Sequence, residues 1–538
     1  MNTKPIRGSS AAPDHIMISF CGDPTSSMAV TWRTDASVTD GYVEYRTEGG
    51  AALRAEALCG PYTSDIDSSC MHWAILEGLE SGERYYYTCG DDKNRSGEYS
   101  FRTFPADAKK VKFIAVSDFQ KAEPFDAPDY SAFNKFLKKA LEDNPDVSFI
   151  LSAGDSTDCG EHEQQWNGLF ATGLKGIVES VPFMAALGNH DNRGFKDYRS
   201  GTGRFYAEPA ILFGAQFRRS YPFNGPEGWE TENYSFDIGP VHLTVFGINA
   251  PDEVDAWAKK DIGGTDRPWK LGVYHFPIYY SGTDCENDDA YPHMRGSMEM
   301  LDVMFSGHEH NFSRSFPMRN ESIYDRPSEG TVHYMLGNGN CNPPGSRTVS
   351  KVWHAAFYPQ EEQVSAYALI EADEKTLKLT EILDDGRIVD ECTVDKEADA
   401  ITPRAVAPVF NRPRMMFKGM DPGLSQVNVW PECIDGVWYI CPAVLASFIG
   451  AEILREKGRV TVELYGHRAV FTEGSAEVET EKGVISASGT AFRGRENQIY
   501  VTADVFAEAL GMKWAYAQRN NFLSFEHESE AHPVPKQP

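Results

Sequence analysis

The sequence predicts a multidomain protein: a small all-β sandwich, a central α/β domain, and a small α/β module built from two similar units. Its 538 residues exceed what one hydrophobic core organises, so two to four domains are expected. Near residue 110 the apolar pattern changes from short alternating runs to strands, some separated by helix-length stretches. A segment near the carboxyl end then repeats itself.

From Pro13 to Pro105, runs such as IMISF, MAVTW, GYVEYRT and RYYYTCG are punctuated by Gly, Asp and Ser. This spacing predicts a β-sandwich with Trp32 and Tyr85 to Tyr87 as core and strand-face aromatics. From Lys110 to Val394, VKFIAV, VSFILSAG, VPFMAALG, HLTVFG, WKLGVYH and LDVMFSGH read as strands. Between them SAFNKFLKKALEDN predicts a crossover helix: Phe133, Phe136, Leu137, Ala140 and Leu141 share a face, and Asn144 before Pro145 ends it. Residues 395–431, with Pro403, Pro408, Pro413 and Pro422, read as a linker. In residues 432–528, VWYICPAVLASFIGA (Val437 to Ala451) matches IYVTADVFAEALGM (Ile499 to Met512), pairing Tyr439 with Tyr500 and Gly450 with Gly511. Each copy predicts a strand, a short helix and a glycine stop.

The composition, 41% hydrophobic and 24% charged, is that of a folded chain, and the net charge of -28 opposes extended nucleic acid or anionic membrane as a general partner. A small phosphorylated substrate at a locally positive site is compatible with it. No apolar run reaches the length of a membrane span, and MNTKPIRGSSAAPDH lacks the apolar core of a secretory signal. The expectation is a cytoplasmic protein or one whose leader is missing. Ten cysteines without a CxxC pair argue against structural zinc, and the pairing of Cys21, Cys59, Cys70, Cys89, Cys433 and Cys441 is open.

Five motifs occur in order within the α/β region: SDFQ (117–120), GDSTD (154–158), GNHD (188–191), YHFP (274–277) and GHEH (307–310). Each is weak singly. Together, each after an apolar run, they place polar side chains at strand carboxyl ends, where α/β sheets form ligand sites. Their residue types suit two ions about 3.5 to 4 Å apart, which need oxygen and imidazole donors converging from several elements. Asp155 is the expected bridging carboxylate. Asp118 and His310, with Gln120 as a neutral fourth ligand, complete one shell, while Asn189, His275 and His308 hold the other ion. A water or hydroxide between the ions is the expected nucleophile. His190 is placed to protonate the leaving oxygen or stabilise phosphoryl charge. For Asp191 two readings stand: orienting the His190 ring, or capping the segment that starts at Asn192. His293 and Arg295 are candidate substrate contacts, with a solvated loop as the alternative.

The ordered set resembles the calcineurin-like metallophosphoesterase superfamily, most closely its purple acid phosphatase branch. The resemblance spans residues 13–394, including FRTFP at the end of the leading sandwich and GHEHNFSRS, which is similar to that branch's GHxHxYER. It implies a phosphoester hydrolase with an immunoglobulin or fibronectin III-like amino-terminal sandwich and a four-layered domain of two central sheets flanked by helices. The implied cofactors are two divalent or trivalent ions among zinc, manganese and iron. Two positions depart from the family. Where it carries the tyrosinate that binds ferric iron and gives colour, this chain has Asp158, which implies a protein that is not purple and a role for Asp158 behind the ligands. Where the superfamily has Asp-x-His, it has Gln120, a weaker donor.

The tail, through LASFIGA and FAEALGM, resembles the duplicated domain at the amino end of copper amine oxidases, recurrent in Gram-positive surface proteins. That resemblance implies an exported or cell-surface protein, with the cell wall as a possible partner and no copper site. Phosphomonoester hydrolysis is the leading expectation; a phosphodiesterase or nucleotide pyrophosphatase and an inactive surface-binding protein are the alternatives. The insertion from Arg193 to Tyr234 is the expected specificity element.

Overall fold

The computed structural model of the chain describes residues 8–122, 127–192, 209–282, 291–340, 348, 350–351, 353–360, 362, 364–405, 413–417, 429–517 and 522–527. Two compact units form, Met1–Val349 with Trp353–Val406, and Ser350–Val352 with Ala407–Pro538.

The first unit begins with two four-stranded antiparallel sheets. One orders Asp14–Ser19, Ser27–Asp35, Ser68–Glu77 and Leu58–Thr63; the other Leu53–Glu56, Tyr42–Thr47, Arg84–Gly90 and Tyr99–Arg102. Alternation buries Val43, Tyr45, Tyr85 and Tyr87, while Tyr86 faces outward. Trp32 is fully buried and stacks on His72.

The rest of the first unit holds two larger mixed sheets. In the seven-stranded sheet, Phe183–Ala185, Ile150–Ser152 and Lys110–Val116 run parallel, followed by antiparallel Ala366–Asp373, Thr376–Leu383, Ile388–Asp395 and Ala400–Thr402. In the eight-stranded sheet, Val241–Phe246, Trp269–Tyr274, Val303–Ser306 and Thr331–Met335 run parallel. The parallel strands are almost continuously apolar because both their faces are covered. Ring contacts between Phe113 and Phe305, and between Phe149 and Phe236, join the sheets face to face. Helix Ser131–Asp143 covers the seven-stranded sheet with Phe133, Phe136, Leu137 and Ala140, Phe136 meeting Tyr367 edge-on. A parallel bridge from Ser117 to Asn338 links the carboxyl ends of the two sheets. All five motif loops gather along that edge.

In the second unit, Val437–Ile440 with helix Pro442–Phe448 and Ile499–Thr502 with helix Ala503–Ala509 form the two repeated segments, whose strands pair antiparallel. Gly450 and Gly511 both have positive φ, 80° and 66°, as helix stops. The stretch read as a linker is only partly so. Ala400–Thr402 is an edge strand of the seven-stranded sheet, and Arg414–Phe417 pairs with Phe522–His527 while burying Met415 and Phe417. Proline density concealed both strands, whose few residues are too short for periodicity to show. Residues 406–412 and 418–428 of that stretch lie outside the described residues.

Within the first unit, a buried ionic cluster ties the leading sandwich to the loop that follows Asp155. Arg33 meets Asp14 through two nitrogens (2.8 and 2.7 Å) and Glu163 at 2.5 Å. Glu163 also accepts from Tyr62 (2.8 Å) and Gln216 (3.2 Å), and its backbone N–H reaches Asp65 at 2.9 Å. Arg33 and Glu163 are both 0% exposed, so removing one partner strands a charge in low dielectric. Arg33→Met is expected to lower unfolding free energy by about 3 to 5 kcal/mol in urea titration, with part of the loss recovered in Arg33→Met/Glu163→Gln. A change below about 1 kcal/mol, the scale of an exposed pair, would contradict this account.

Candidate metal centre

Strand ends alone do not aim side chains at one point; the turns after them do. Asp118, Asp155, His308 and His310 all adopt left-handed backbone, with φ of 52°, 53°, 79° and 56°. Such non-glycine residues cost on the order of 1 kcal/mol each and collect at functional sites. Gly154, at φ +100°, makes the turn before Asp155. At Gly307 a Cβ would lie 2.4 Å from Asp118 Oδ2, so only glycine lets the last motif approach the first.

One donor set is compact. Asn189 Oδ1 lies 2.9 Å from His275 Nε2 and 3.0 Å from His308 Nδ1, and His275 Nε2 lies 3.2 Å from Asp155 Oδ2. Four donors around an ion at about 2.0 to 2.2 Å define tetrahedral edges of roughly 3.4 Å, close to these spacings. His275 Nδ1 meets the Ala153 carbonyl at 2.9 Å, which leaves Nε2 as its inward donor. Burial alone would lower the His275 pKa, but Asp155, its hydrogen bond and Asp118 push it up to about 9. Asp155 is held well below the usual carboxylate range: burial opposes this, and His275 and His190 prevail. The pocket favours positive charge, the electrostatic condition for a cation.

The second set adjoins it. Asp118 is fully buried, accepts the His308 N–H with both oxygens at 2.9 Å, and lies 3.7 Å from His310 Nε2. The Gln120 amide lies 3.2 Å from the same His310 nitrogen. Phe119, between the two polar residues, stacks on Phe133 with centroids 4.3 Å apart, which pins this loop to helix Ser131–Asp143.

His190 lies beside the compact set. Its N–H donates to Asp155 Oδ1 at 2.9 Å, its Nδ1 meets the Asp158 carbonyl at 2.8 Å, and its Nε2 stands 4.0 Å from Asp155 Oδ2. Burial lowers its pKa, but Asp155 and the Asp158 carbonyl outweigh that and raise it. The Asp158 carboxylate is 3.6 Å from His190 Nδ1. Asp191 does not orient that ring. Its carboxylate accepts the N–H groups of Ser156 (2.9 Å), Thr157 (2.8 Å) and Gly188 (3.2 Å), tying the second motif to the third. The expected substrate contacts lie on a helix. His293 pairs with Asp252 at 2.8 Å, Arg295 faces Glu299 at 3.8 Å, and both side chains are half exposed on helix Tyr291–Met298. Of the expected specificity insertion, residues 193–208 lie outside the described residues.

Two family models match the chain: the purple acid phosphatase N-terminal domain over residues 13–103 and the calcineurin-like phosphoesterase over residues 111–312. Residues 13–312 carry the two domains of the purple acid phosphatase-like branch of calcineurin-like metallophosphoesterases. The chain is 26% identical over 350 residues to purple acid phosphatase 22 of Arabidopsis thaliana, covering 62% of this chain and 73% of that one. It is 24% identical over 381 residues to human (Homo sapiens) acid phosphatase type 7, covering 62% and 79%. The structure of a purple acid phosphatase isolated from yellow lupin (Lupinus luteus) seeds shares the fold, with TM-score 0.59, 20% identity, and 71% and 74% coverage. As a metallophosphoesterase of this branch it is a metal-dependent phosphoester hydrolase.

Two parts of this metallophosphoesterase escaped the sequence reading. Glu309, between the two histidines of the last motif, accepts the N–H groups of Ser281 (2.6 Å) and Gly282 (2.8 Å) and so anchors the loop after His275. The turn Gly337–Asn340 bonds to the first and last motifs, and it follows an apolar strand, TVHYML, as the other motifs do. Beneath it, buried Glu381 accepts the Gly337 N–H at 2.9 Å, and burial pushes its pKa up to about 8. The unfolded carboxyl loses its proton near pH 4.5 and the folded one near 8. Its stabilising contribution is therefore complete below about 4.5 and lost as pH rises through 8. Thermal unfolding of wild type and Glu381→Gln from pH 5 to 8 should show the variant losing less stability across that range. Parallel curves would place the ionisation elsewhere.

Proposed function

We propose that this enzyme is a phosphomonoesterase acting at a two-metal site. The observation that carries the reading is the convergence of Asp155, Asn189, His275 and His308 donors at ion-shell spacing, with His190 Nε2 directed toward the same place. In the proposed assignment Asp155 is shared, Asn189, His275 and His308 belong to one ion, and Asp118, Gln120 and His310 belong to the other. Two ions held there would supply charge neutralisation of the phosphoryl group and activation of a water. The chain's own contribution is positional. The loops fix the donors before substrate arrives, and His190, its Nδ1 engaged by the Asp158 carbonyl, presents Nε2 to the leaving oxygen as proton donor. Asp191 contributes by holding the loops that carry Asp155 and Asn189.

The substrate is a small phosphorylated molecule, in keeping with the acidic chain and a site that favours positive charge. The sheet pattern of residues 13–105 supports a fibronectin III-like reading, and the repeated strand-helix segments support a copper amine oxidase N-terminal-like domain over 432–528. That second resemblance is the basis for proposing a secreted or cell-surface setting and a cell-wall partner.

Elemental analysis of the purified protein, paired with hydrolysis of a chromogenic phosphomonoester and diester, tests the proposal. Two metal equivalents, faster monoester turnover, and a loss of kcat/KM on the order of 10³ or more in His308→Ala are expected for removal of a group acting directly on the reaction. Faster diester turnover would replace the monoesterase assignment. Fewer than two equivalents under added zinc, manganese or iron would overturn the two-metal site.

A further inference from the structure

A neutral amide at Gln120, where an imidazole is expected, is a weak donor, so one side of the site depends on how well its donors are held in advance. The Gly337–Asn340 turn holds them without supplying one. The Gly339 N–H donates to the Ser117 carbonyl at 2.8 Å, just before Asp118. Asn340 Nδ2 donates to the carbonyls of Phe119 (3.1 Å) and Gln120 (3.3 Å), and Asn338 Nδ2 donates to the His310 carbonyl at 3.3 Å. These bonds fall on the backbone carrying Asp118, Gln120 and His310.

The turn is itself locked. Gln360 is fully buried at left-handed φ 54°, a conformation that persists only where the surroundings impose it. Its Oε1 accepts the Asn338 N–H at 3.0 Å, and its Nε2 donates to the carbonyls of Asn338 (3.1 Å) and Val364 (2.5 Å). The Ala366 N–H also donates to the Asn338 carbonyl at 2.9 Å, and Glu381 holds the Gly337 N–H. The turn is thereby fixed to the seven-stranded sheet on one side and reaches the last motif of the eight-stranded sheet on the other.

We propose that Asn338 and Asn340, locked by Gln360, form a positioning frame that preorganises the Asp118–Gln120–His310 half of the metal centre and sets its ion affinity. This rests on the two-metal reading above. Conserving the geometry of such outer partners typically preserves about 10- to 100-fold in metal affinity.

The test uses the full chain, stripped with chelator and titrated with Mn²⁺ alone by calorimetry, with thermal unfolding in parallel. Asn340→Ala and the isosteric Asn340→Asp should weaken one of two equivalents by about 10- to 100-fold and leave the other unchanged. Tyr87→Phe, which removes a buried hydrogen bond from the leading sandwich to the Glu179 carbonyl (2.8 Å), serves as a stability control and should lower the unfolding temperature without altering either equivalent. Wild-type affinities at both sites in the two Asn340 variants would overturn the frame. So would equal loss of both equivalents, which marks general loosening. Fewer than two equivalents in wild type would overturn the two-metal reading and the frame with it, an outcome distinct from the other two.

Discussion

The catalytic half of this molecule depends on a carboxylate, Asp155, placed at 1% exposure where two sheets end together. A buried charge without compensation costs several kcal/mol, a large share of the roughly 5 to 15 kcal/mol that holds a domain folded. Here compensation comes from the His275 ring at 3.2 Å and the His190 N–H at 2.9 Å, which belong to different loops and different sheets. Asp155 therefore requires the third and fourth motifs to be where they are. Left-handed turns at four motif residues add strain of a few kcal/mol in total, which the surrounding parallel strands and the aromatic contacts between sheets outweigh.

The leading sandwich takes part in this rigidity. The loop from Gly154 to His162 is secured at its inner end by Asp191, through the amides of Ser156 and Thr157, and at its outer end by Asp65 and Glu163. Glu163 is in turn held by Arg33 and Tyr62 from the sandwich. The domain without candidate ligands thus fixes the far side of the loop that supplies the central carboxylate. A motion of the sandwich against the sheets would have to break a fully buried ion pair, so the two parts are expected to behave as one body around the site.

What the sequence made legible was whatever a single segment decides. Phe133, Phe136, Leu137 and Ala140 name their helix face because spacing alone selects it, and the motif residues stand out because a glycine and a polar side chain interrupt an apolar run. Roles that need partners from elsewhere are harder to read. Adjacency offers Asp191 either the His190 ring or the segment from Asn192 to cap, whereas the amides it accepts, on Ser156, Thr157 and Gly188, belong to the preceding turn and to a loop that only the fold brings beside it. His293 and Arg295 sit between two motifs in sequence, and the pairs they make with Asp252 and Glu299 come from the helix that carries them. The Gly337–Asn340 turn offers no ligand, so its residue types alone do not announce a role, although its strand-then-glycine form matches the rest.

The two departures from the family pattern have different structural consequences. Asp158 replaces a metal-binding tyrosine, and its carboxylate stands 3.6 Å from His190 Nδ1 while its carbonyl fixes that nitrogen. Where the family resemblance places a hard, colour-giving phenolate ligand, this chain thus has a residue that orients the ring of His190, the proposed proton donor. In the proposed assignment Gln120 gives its side of the centre carboxylate, amide and one imidazole, a set of the same charge but weaker donor strength than one with two imidazoles. Such a set binds through geometry more than through donor strength. This is why its loop is held on every side: by Phe133 through Phe119, by Asp155 through the Gln120 N–H at 3.0 Å, and by Asn340 through its carbonyl. Weak donors tolerate little misplacement, and the density of backbone hydrogen bonds around Gln120 is the structural counterpart of that intolerance.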